Sequence, residues 1–585
     1  MANRMQLDQE YAASSGAATG GGAFCRPRFA AVSRHMSGMV ARVAAAAIVA
    51  ASIALAQTSS FPRPNYFRSV FTSPSAKVEL RAPVHLKDFV VDGQLELSLK
   101  NYLGLVMANN TDIQIELLTL ETPRDAIMRA LGTWDPIASA SFNDTRSSAP
   151  SVTALAGATN TISLSQPANF SYTQVLPSST QYTVGFSASK NSTNSSFATL
   201  NPYISSGLSF SFQQPLLRNR GYYVSHLNLM MARSRFRISE YSLRSQLLQM
   251  INTAENAYWD LVQARENLRV AESAQKLADD SLKLSQKELQ LGALSPLDIY
   301  NPEQQLATAE LGVSQAKFAV EQSENALRKQ MGVDLDPDIR KLSIVLTEPV
   351  ETQVPGDVSS PEQEVEKAIR MRPDLKAAIQ SLDVDDLGIR QAKNEMMPSL
   401  TLSASYQSQG IGGIYYPSST NLIGGTGQVL APIPGGFGDS LSQLFGFGYP
   451  VYSFGLNLSL PIRSHAAAAD MADALVQKRH DALTIRTTQQ QIRLSILNAV
   501  SNVESSQESV KLALVAKDFA AKYLDAENQK YQLGIDPMQF VLQAQNSLTQ
   551  AESNVVQAQV GLRRNLLNLL TQTGELLDDR GIVVQ

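Results

Sequence analysis

Cysteine is almost absent: Cys25 is the sole one in 585 residues, which leaves no room for a disulfide framework or a cysteine-built metal site. The five histidines, His35, His85, His226, His465 and His480, stand apart without zinc-ligand spacing. The phosphate-cradling G-x-x-x-x-G-K-[ST], the dinucleotide G-x-G-x-x-G and the nucleophile elbow G-x-S-x-G do not occur. No enzyme activity, cofactor or bound metal is therefore expected. A basic excess is missing too, since 49 Lys and Arg face 53 Asp and Glu, and nucleic acid loses its electrostatic footprint. Aromatics make up only 7%. Past residue 56 no run approaches the roughly 20 apolar residues of a membrane-spanning helix. A secreted chain of this kind is either soluble or crosses a membrane as a β-barrel.

Hydrophobic residues nonetheless reach 44% and charged ones 17%, enough for a large core or a long bundle and unlike a disordered chain. Arg26, Arg28, Arg34 and Arg42 precede an apolar run from Val43 to Leu55 that closes on Ala54-Leu55-Ala56. Basic region, apolar core and A-x-A site in that order read as a secretory signal over residues 1–56, cleaved after Ala56. Met36 and Met39 offer starts with leaders of more ordinary length than Met1. Cys25 precedes the apolar run, so no lipid anchor is expected. Losing the leader removes five basic and two acidic residues, leaving 44 against 51 and a formal charge of −7.

The stretch that organises the rest is Gln290-Leu291-Gly292-Ala293-Leu294-Ser295-Pro296-Leu297-Asp298, matched by Gln532-Leu533-Gly534-Ile535-Asp536-Pro537. Each reads as the tip of a helical hairpin. Glycine stops the incoming helix because it enters the left-handed region without steric cost, and a Ser-Pro or Asp-Pro pair starts the outgoing one with proline at its first position. Ser295 with Asp298, and Asp536 with Gln539, have capping-box spacing. A step of 242 residues carries Gly292 to Gly534, Leu306 to Leu548 and Gly332 to Gly574, and a step of 262 carries Asp112 to Asp374 and Pro136 to Pro398. The chain is accordingly read as two tandem copies of one large unit.

Each copy opens on a helical pattern. Leu95 to Leu131, broken near Asn109-Asn110-Thr111-Asp112 with Thr111 or Asp112 as cap, is answered by Pro361 to Met397, broken at Arg372-Pro373-Asp374. After Pro136 and Pro398 the apolar period drops to two, through Ala138, Ala140 and Phe142 and through Leu400, Leu402, Ala404 and Tyr406. It returns as Leu208, Phe210 and Phe212 and as Leu456, Leu458 and Leu460. These make four dependable strands with polar faces almost wholly of Ser, Thr and Asn. Residues 147–204 and 408–449 read mainly as loop, with Thr161 to Ser165 and Tyr182 to Ser189 left open as an extra hairpin or lengthened strands. Long helices follow, from Tyr222 to Leu291 and from His465 to Leu533, each roughly 100 Å at 1.5 Å per residue. Leu247, Ile251, Ala254, Tyr258 and Leu261, and later Val541, Ala544, Leu548, Ala551, Val555, Ala558 and Leu562, are spaced as coiled-coil seams. The expected divisions are a signal at 1–56, an N-terminal segment at 57–90 with short strands at Val78 to Leu80 and Phe89 to Val91, a first repeat at 91–332, a linker at 333–360, a second repeat at 361–574 and a tail at 575–585.

Four strands cannot close a barrel alone, and a bilayer tolerates no open sheet edge, so a chain that spans an outer membrane with them has to share its barrel with copies of itself. At this point the sequence resembles the TolC-like outer-membrane efflux protein family over nearly all of residues 90–575. The resemblance is carried by the Asn-Thr-Asp and Arg-Pro-Asp breaks, Pro136 and Pro398, the runs Ser211 to Leu217 and Leu458 to Ile462, and the two Leu-Gly tips. It implies an α+β membrane channel: a homotrimer with a long coiled-coil α-helical barrel in the periplasm and a shared 12-stranded transmembrane β-barrel, four strands per protomer, in the cell outer membrane. The implied function is a passive exit duct of a tripartite efflux or type I secretion system, opened at its tips by a periplasmic adaptor (membrane fusion) protein and an inner-membrane pump.

The resemblance also implies residue roles. Leu291, Gly292, Leu294, Ser295, Leu533, Gly534 and Pro537 would meet the adaptor, although any helical hairpin needs such a turn. Asp298 and Tyr531 match the hydrogen-bonded pair that holds family tunnels shut, while Asp298 also reads as a capping residue. The basic residue expected two positions after the second tip glycine, and the aspartates six and nine after it, are here Asp536, Phe540 and Gln543, so an acidic ring is not carried over. Phe540 is a candidate constriction or a helix-packing residue. The rival reading, a soluble periplasmic coiled-coil scaffold, explains the helices but not the repeated apolar strand faces, and a porin acting alone does not need the helices.

Overall fold

The computed structural model describes residues 90–91, 94–151, 158–195, 198–292, 295–333, 342–348, 360–417 and 431–582, all within the unit Ala82–Gln585. The leader, Cys25, the strand expected at Val78 to Leu80 and Leu294 at the first tip lie outside the described residues. In chain order the elements are β1 (Val90–Val91), β2 (Gln94–Leu97), α1 (Leu99–Asn109), α2 (Thr111–Leu118), α3 (Glu121–Leu131), β3 (Ile137–Phe142), β4 (Thr145–Pro150), β5 (Asn160–Val175), β6 (Gln181–Thr193), β7 (Leu200–Pro215), α4 (Gly221–Ser225), α5 (Leu227–Gln290) and α6 (Tyr300–Gln330). Then come β8 (Ser343–Leu346), α7 (Pro361–Met371), α8 (Pro373–Glu395), β9 (Ser399–Tyr415), α9 (Phe437–Gly446), β10 (Pro450–Ser459), α10 (His465–Gln532), α11 (Met538–Thr573) and α12 (Leu576–Asp579).

The helices follow their seams. Leu247, Ile251, Ala254, Tyr258 and Leu261 of α5 are fully buried, as are Ala544 and, nearly so, Val541 and Leu562 of α11. α5 packs along α6, α10 along α11, and α11 also against α5. At 64 and 68 residues, α5 and α10 are each about 100 Å long.

Two expectations near the start of the first copy need correction. Leu95 and Leu97 belong to a strand, because both are buried while Gln94 and Glu96 between them are exposed, a period of two. β2 runs antiparallel to β1 and parallel to β8, so the stretch expected to be a linker, 333–360, supplies a strand of its own. The second correction is the cap of α2, which is Asn110 and not Thr111 or Asp112. Its Oδ1 accepts from the Asp112 and Ile113 amides at 2.8 and 3.2 Å, satisfying donors that have no partner within the helix.

Asn110 also ties the helix break to the far end of α6, since its Nδ2 donates to the Gln330 carbonyl at 2.8 Å and to Gln330 Oε1 at 3.3 Å. Arg372, at the other break, donates from Nη1 to the Gln572 carbonyl at 3.4 Å and to Gln572 Oε1 at 3.1 Å. Beside these contacts α6 and α11 stop on Gly332 and Gly574, both left-handed at φ 65° and 82°. In each case the amide after the glycine returns to a carbonyl five residues back, Val333 to Arg328 and Glu575 to Leu570 at 3.1 Å, the Schellman arrangement.

The main sheet departs from the expected four strands. Its order is β10-β9-β7-β6-β5-β3, with β4 also pairing β5, so six strand positions lie side by side. The stretch read mainly as loop forms the hairpin β5–β6, paired from Ser163 opposite Thr193 to Val175 opposite Gln181. Among the described residues neither β10 nor β3 and β4 has a second neighbour. One face carries the apolar side chains, and the opposite face carries hydroxyls paired across strands, Ser139 with Ser171 at 2.7 Å, Thr173 with Thr183 at 3.0 Å and Ser405 with Ser453 at 2.8 Å. The hydroxyl face is satisfied by hydrogen bonding across strands, whereas the apolar face is left bare, Phe210 and Phe454 among its exposed side chains. α9 rests against β9 and β7, with Ser440 Oγ bonded to Ser206 Oγ at 2.6 Å.

Candidate functional site

The two hairpin tips are ends of regular structure left exposed, with Leu291 and Leu533 bare. α5 ends at the first tip and α10 at the second, each capped by a left-handed glycine, Gly292 at φ 72° and Gly534 at φ 71°. The second tip closes as a full Schellman motif, with the Gly534 amide donating to the Tyr531 carbonyl and the Ile535 amide to the Lys530 carbonyl, both at 2.9 Å. At the first, the Gly292 amide donates to the Leu289 carbonyl at 3.0 Å. A Cβ placed on either tip glycine would meet nothing within 4 Å, so these glycines serve the turn and not a close approach.

The outgoing helices begin later than the prolines predict. α11 starts at Met538 with Pro537 as its N-cap residue, and α6 starts at Tyr300 with Ile299 in that position. Neither has a side-chain cap, so the capping boxes of Ser295 with Asp298 and of Asp536 with Gln539 do not form. Ser295 Oγ accepts instead from the Leu297 amide at 3.3 Å, a local turn two residues on, and Asp536 is drawn to Lys530 at 3.3 Å.

Between the tips lies a cavity of about 330 Å³ lined by Ser285, Glu288, Asp298, Asn301, Tyr531 and Asp536, among others. Asp298 and Tyr531 thus border one space, but the hydrogen bond joins a different pair: the Tyr531 hydroxyl donates to the Glu288 carboxylate. Glu288 stands on the last turn of α5, whereas Asp298 sits exposed in the turn before α6. Burial, then the hydrogen bond to Glu288 and its negative charge, pushes the Tyr531 pKa well above its ordinary value, so the phenol stays protonated and donating. Lys530 bonds Glu527 at 2.7 Å as well as Asp536, and these partners raise its pKa. Glu288 and Lys530 were missed by the sequence reading; the signal was there, because both stand four residues before a tip glycine with opposite charge.

Behind the cavity polar side chains join the two hairpins. Gln545 Nε2 donates to Ser281 Oγ at 2.8 Å with both residues buried, and Asn546 Nδ2 to Gln305 Oε1 at 3.2 Å. In front, the apolar residues are bare: Leu291 is 84% exposed and Leu533 74%. Phe540, on the first turn of α11, is 42% exposed. Among the described residues no group of three or more His, Cys, Asp or Glu is placed to hold a metal, and no helix is long and apolar enough to cross a membrane.

A family model described as "Outer membrane efflux protein" matches residues 176–333 and 365–575. The chain is 22% identical over 341 residues to the probable efflux pump outer membrane protein TtgC of Pseudomonas putida, spanning 57% of this chain and 62% of the relative. It therefore covers somewhat under two thirds of that relative's length. A membrane protein of Pseudomonas aeruginosa superposes with a TM-score of 0.58 at 18% identity, over 86% of this chain and 99% of that one. The Campylobacter jejuni CmeC outer membrane channel gives 0.57 at 16%, over 86% and 91%. At these identities the likeness establishes a shared fold.

Proposed function

The chain belongs to the outer membrane efflux protein family, and from that premise we propose that it is the passive outer-membrane exit duct of a tripartite efflux or type I secretion system. The observation that carries this reading is the sheet with an apolar face, a hydroxyl face and two open edges. Lipid suits the first face, a wet lumen the second, and only neighbouring copies can cover the edges in a bilayer. A homotrimer with the long helices forming a periplasmic tunnel follows from the family resemblance. The matched contacts of Asn110 with Gln330 and of Arg372 with Gln572 support reading residues 91–332 and 361–574 as two copies of one unit.

The tips are where partners would bind. Bare Leu291 and Leu533, with Gly292, Leu294, Ser295, Gly534 and Pro537 beside them, form the proposed contact for a periplasmic adaptor, which couples the duct to an inner-membrane pump. Tyr531 with Glu288, and Asp298 across the same cavity, form the proposed latch of the closed state, and Phe540 a proposed constriction. The test is fractionation and export together. The mature chain is expected in outer-membrane fractions as a detergent-requiring trimer, and its loss is expected to abolish export by its cognate inner-membrane pump. A water-soluble monomer would instead favour a periplasmic scaffold and end the channel reading.

A further inference from the structure

Resting on that channel reading, we infer that the hairpin β5–β6 is built into the barrel wall, so that three protomers close a cylinder of eighteen strands and not twelve. The hairpin does not lie over the sheet or beside it; it separates β3 from β7 and is paired to both. Directly opposed residues show that it keeps the two faces of the wall. Ala138, Tyr172, Val184, Phe210, Tyr406 and Tyr452 follow one another across all six positions, an unbroken apolar row. One residue along, Thr173, Thr183, Ser211, Ser405 and Ser453 form a hydroxyl row across five of the six positions, ending at Ile137 of β3, which stands opposite Thr173. A hairpin hanging in the lumen or in solvent would have no reason to continue both rows in register, since a shift of one residue exchanges the faces.

Parity agrees. Every strand pair in this sheet is antiparallel, and six strands leave β10 and β3 running in opposite directions, so the β10 edge of one copy meets the β3 edge of the next as another antiparallel pair. Adding two strands preserves this; adding one would break it.

The helices do not grow to match. β3 follows α3, β7 leads into α4 and α5, β9 follows α8 and β10 leads into α10, whereas β5 and β6 simply turn back over residues 176–180. That turn is fastened at the junction. Its Leu176 amide donates to the Thr180 carbonyl at 2.7 Å, Ser179 Oγ to the Gly221 carbonyl at 3.3 Å, and Gln174 Nε2, just before it, to the Trp134 carbonyl at 3.1 Å. Six strands thus stand above four helical connections. Because barrel diameter grows roughly linearly with strand number, the membrane section is about 1.5 times as wide as twelve strands would make it, and the lumen widens on leaving the tunnel.

The test is electron microscopy of the mature full-length trimer in lipid nanodiscs at strand-resolving resolution, beside a variant lacking residues 152–197, in which β4 runs directly to β7. Eighteen strands in the parent and twelve in the variant are expected. A twelve-strand parent ring with the hairpins off the wall overturns this inference and leaves the channel reading intact; a chain that forms no membrane trimer overturns both. If the shortened variant does not assemble, cysteine pairs in the full chain decide. Ser139→Cys with Ser171→Cys and Thr183→Cys with Ser211→Cys are each expected to oxidise within one protomer in native membranes, and failure of either pair refutes a hairpin lying between β3 and β7.

Discussion

Replacing each of four glycines by alanine separates backbone strain from close packing. Gly292, Gly332, Gly534 and Gly574 end four helices at φ between 65° and 82°, so alanine meets the same left-handed penalty of ~1–2 kcal/mol at all four. Their surroundings differ. At the tips a new Cβ meets nothing within 4 Å, and the backbone strain is the whole cost. At Gly574 the nearest atoms are the Arg372 Cα and N at 3.4 Å, close to ordinary contact. At Gly332 the Cβ would overlap the Asn109 carbonyl oxygen and stand 3.0 Å from its carbon. That neighbour is backbone and cannot swing aside, so the end of α1 must shift. The Asn110 bond to the Gln330 carbonyl then stretches, and a lost buried hydrogen bond adds ~1–3 kcal/mol. Gly332→Ala is thus expected to cost roughly 2–5 kcal/mol and the other three only the ~1–2 kcal/mol of backbone strain. Large membrane trimers unfold irreversibly, so the appropriate assay is the half-life of the detergent-solubilised trimer at a fixed raised temperature. Gly332→Ala is expected to shorten it far more than Gly292→Ala or Gly534→Ala. Equal half-lives for all four would refute the argument, because strain alone would then set the cost.

The other predictions concern latch, tip and tail. Tyr531→Phe removes a hydrogen bond to a carboxylate worth ~1.5–3 kcal/mol and should raise single-channel conductance in planar bilayers; unchanged conductance would remove Tyr531 from the latch. Leu291→Asp with Leu533→Asp should leave trimers intact, since both side chains are largely bare, but abolish binding of a cognate periplasmic adaptor, and normal binding would clear the tips of that role. Arg580 bonds the buried Glu255 carboxylate at 2.7 and 3.0 Å, so Arg580→Leu strands a buried charge at a cost of about 3 kcal/mol, the lower end for such pairs because Arg580 is 28% exposed. The same half-life assay should show most of that loss recovered on adding Glu255→Leu, and no recovery would mean that Arg580 acts through packing alone.

The helices and their tips were legible because each rests on a local rule. A seam spaced by four and three buries itself whatever surrounds it, and a glycine before a proline-containing turn has few other uses. The hairpin β5–β6 was legible only in part, as the alternating runs Thr161 to Ser165 and Tyr182 to Ser189, for a physical reason: Asn, Ser and Thr signal loops when both sides of a segment face water, yet a strand with one polar face needs them at alternate positions. Thr161, Ser163 and Ser165 fall on that side while Ile162 and Leu164 fall on the other, and Gln166-Pro167 then interrupts the pattern where the strand continues. Asn110 was passed over as a cap because Thr111 and Asp112 are equally good capping residues. Only the geometry, which turns the Asn110 amide toward Gln330, selects among the three.

The two proposed copies agree in packing and part company in charge. Asn110 and Arg372 share no chemistry beyond an N–H donor, and that suffices because the task at each break is to donate to a carbonyl at a helix end. No such economy holds at the tips. Glu288 and Lys530 occupy matched positions with opposite sign, and Leu289 of the first copy is matched by Tyr531 in the second. Lys530 is engaged by Glu527 and Asp536 of its own hairpin, while Glu288 receives its hydroxyl from the other. Lys530 is therefore paired within its own hairpin, and Glu288 holds the two hairpins together. Any partner that grips both tips in the same way has to do so through what they still share, the bare leucine and the glycine turn beside it; the charged residues are left free to govern how the hairpins sit against each other.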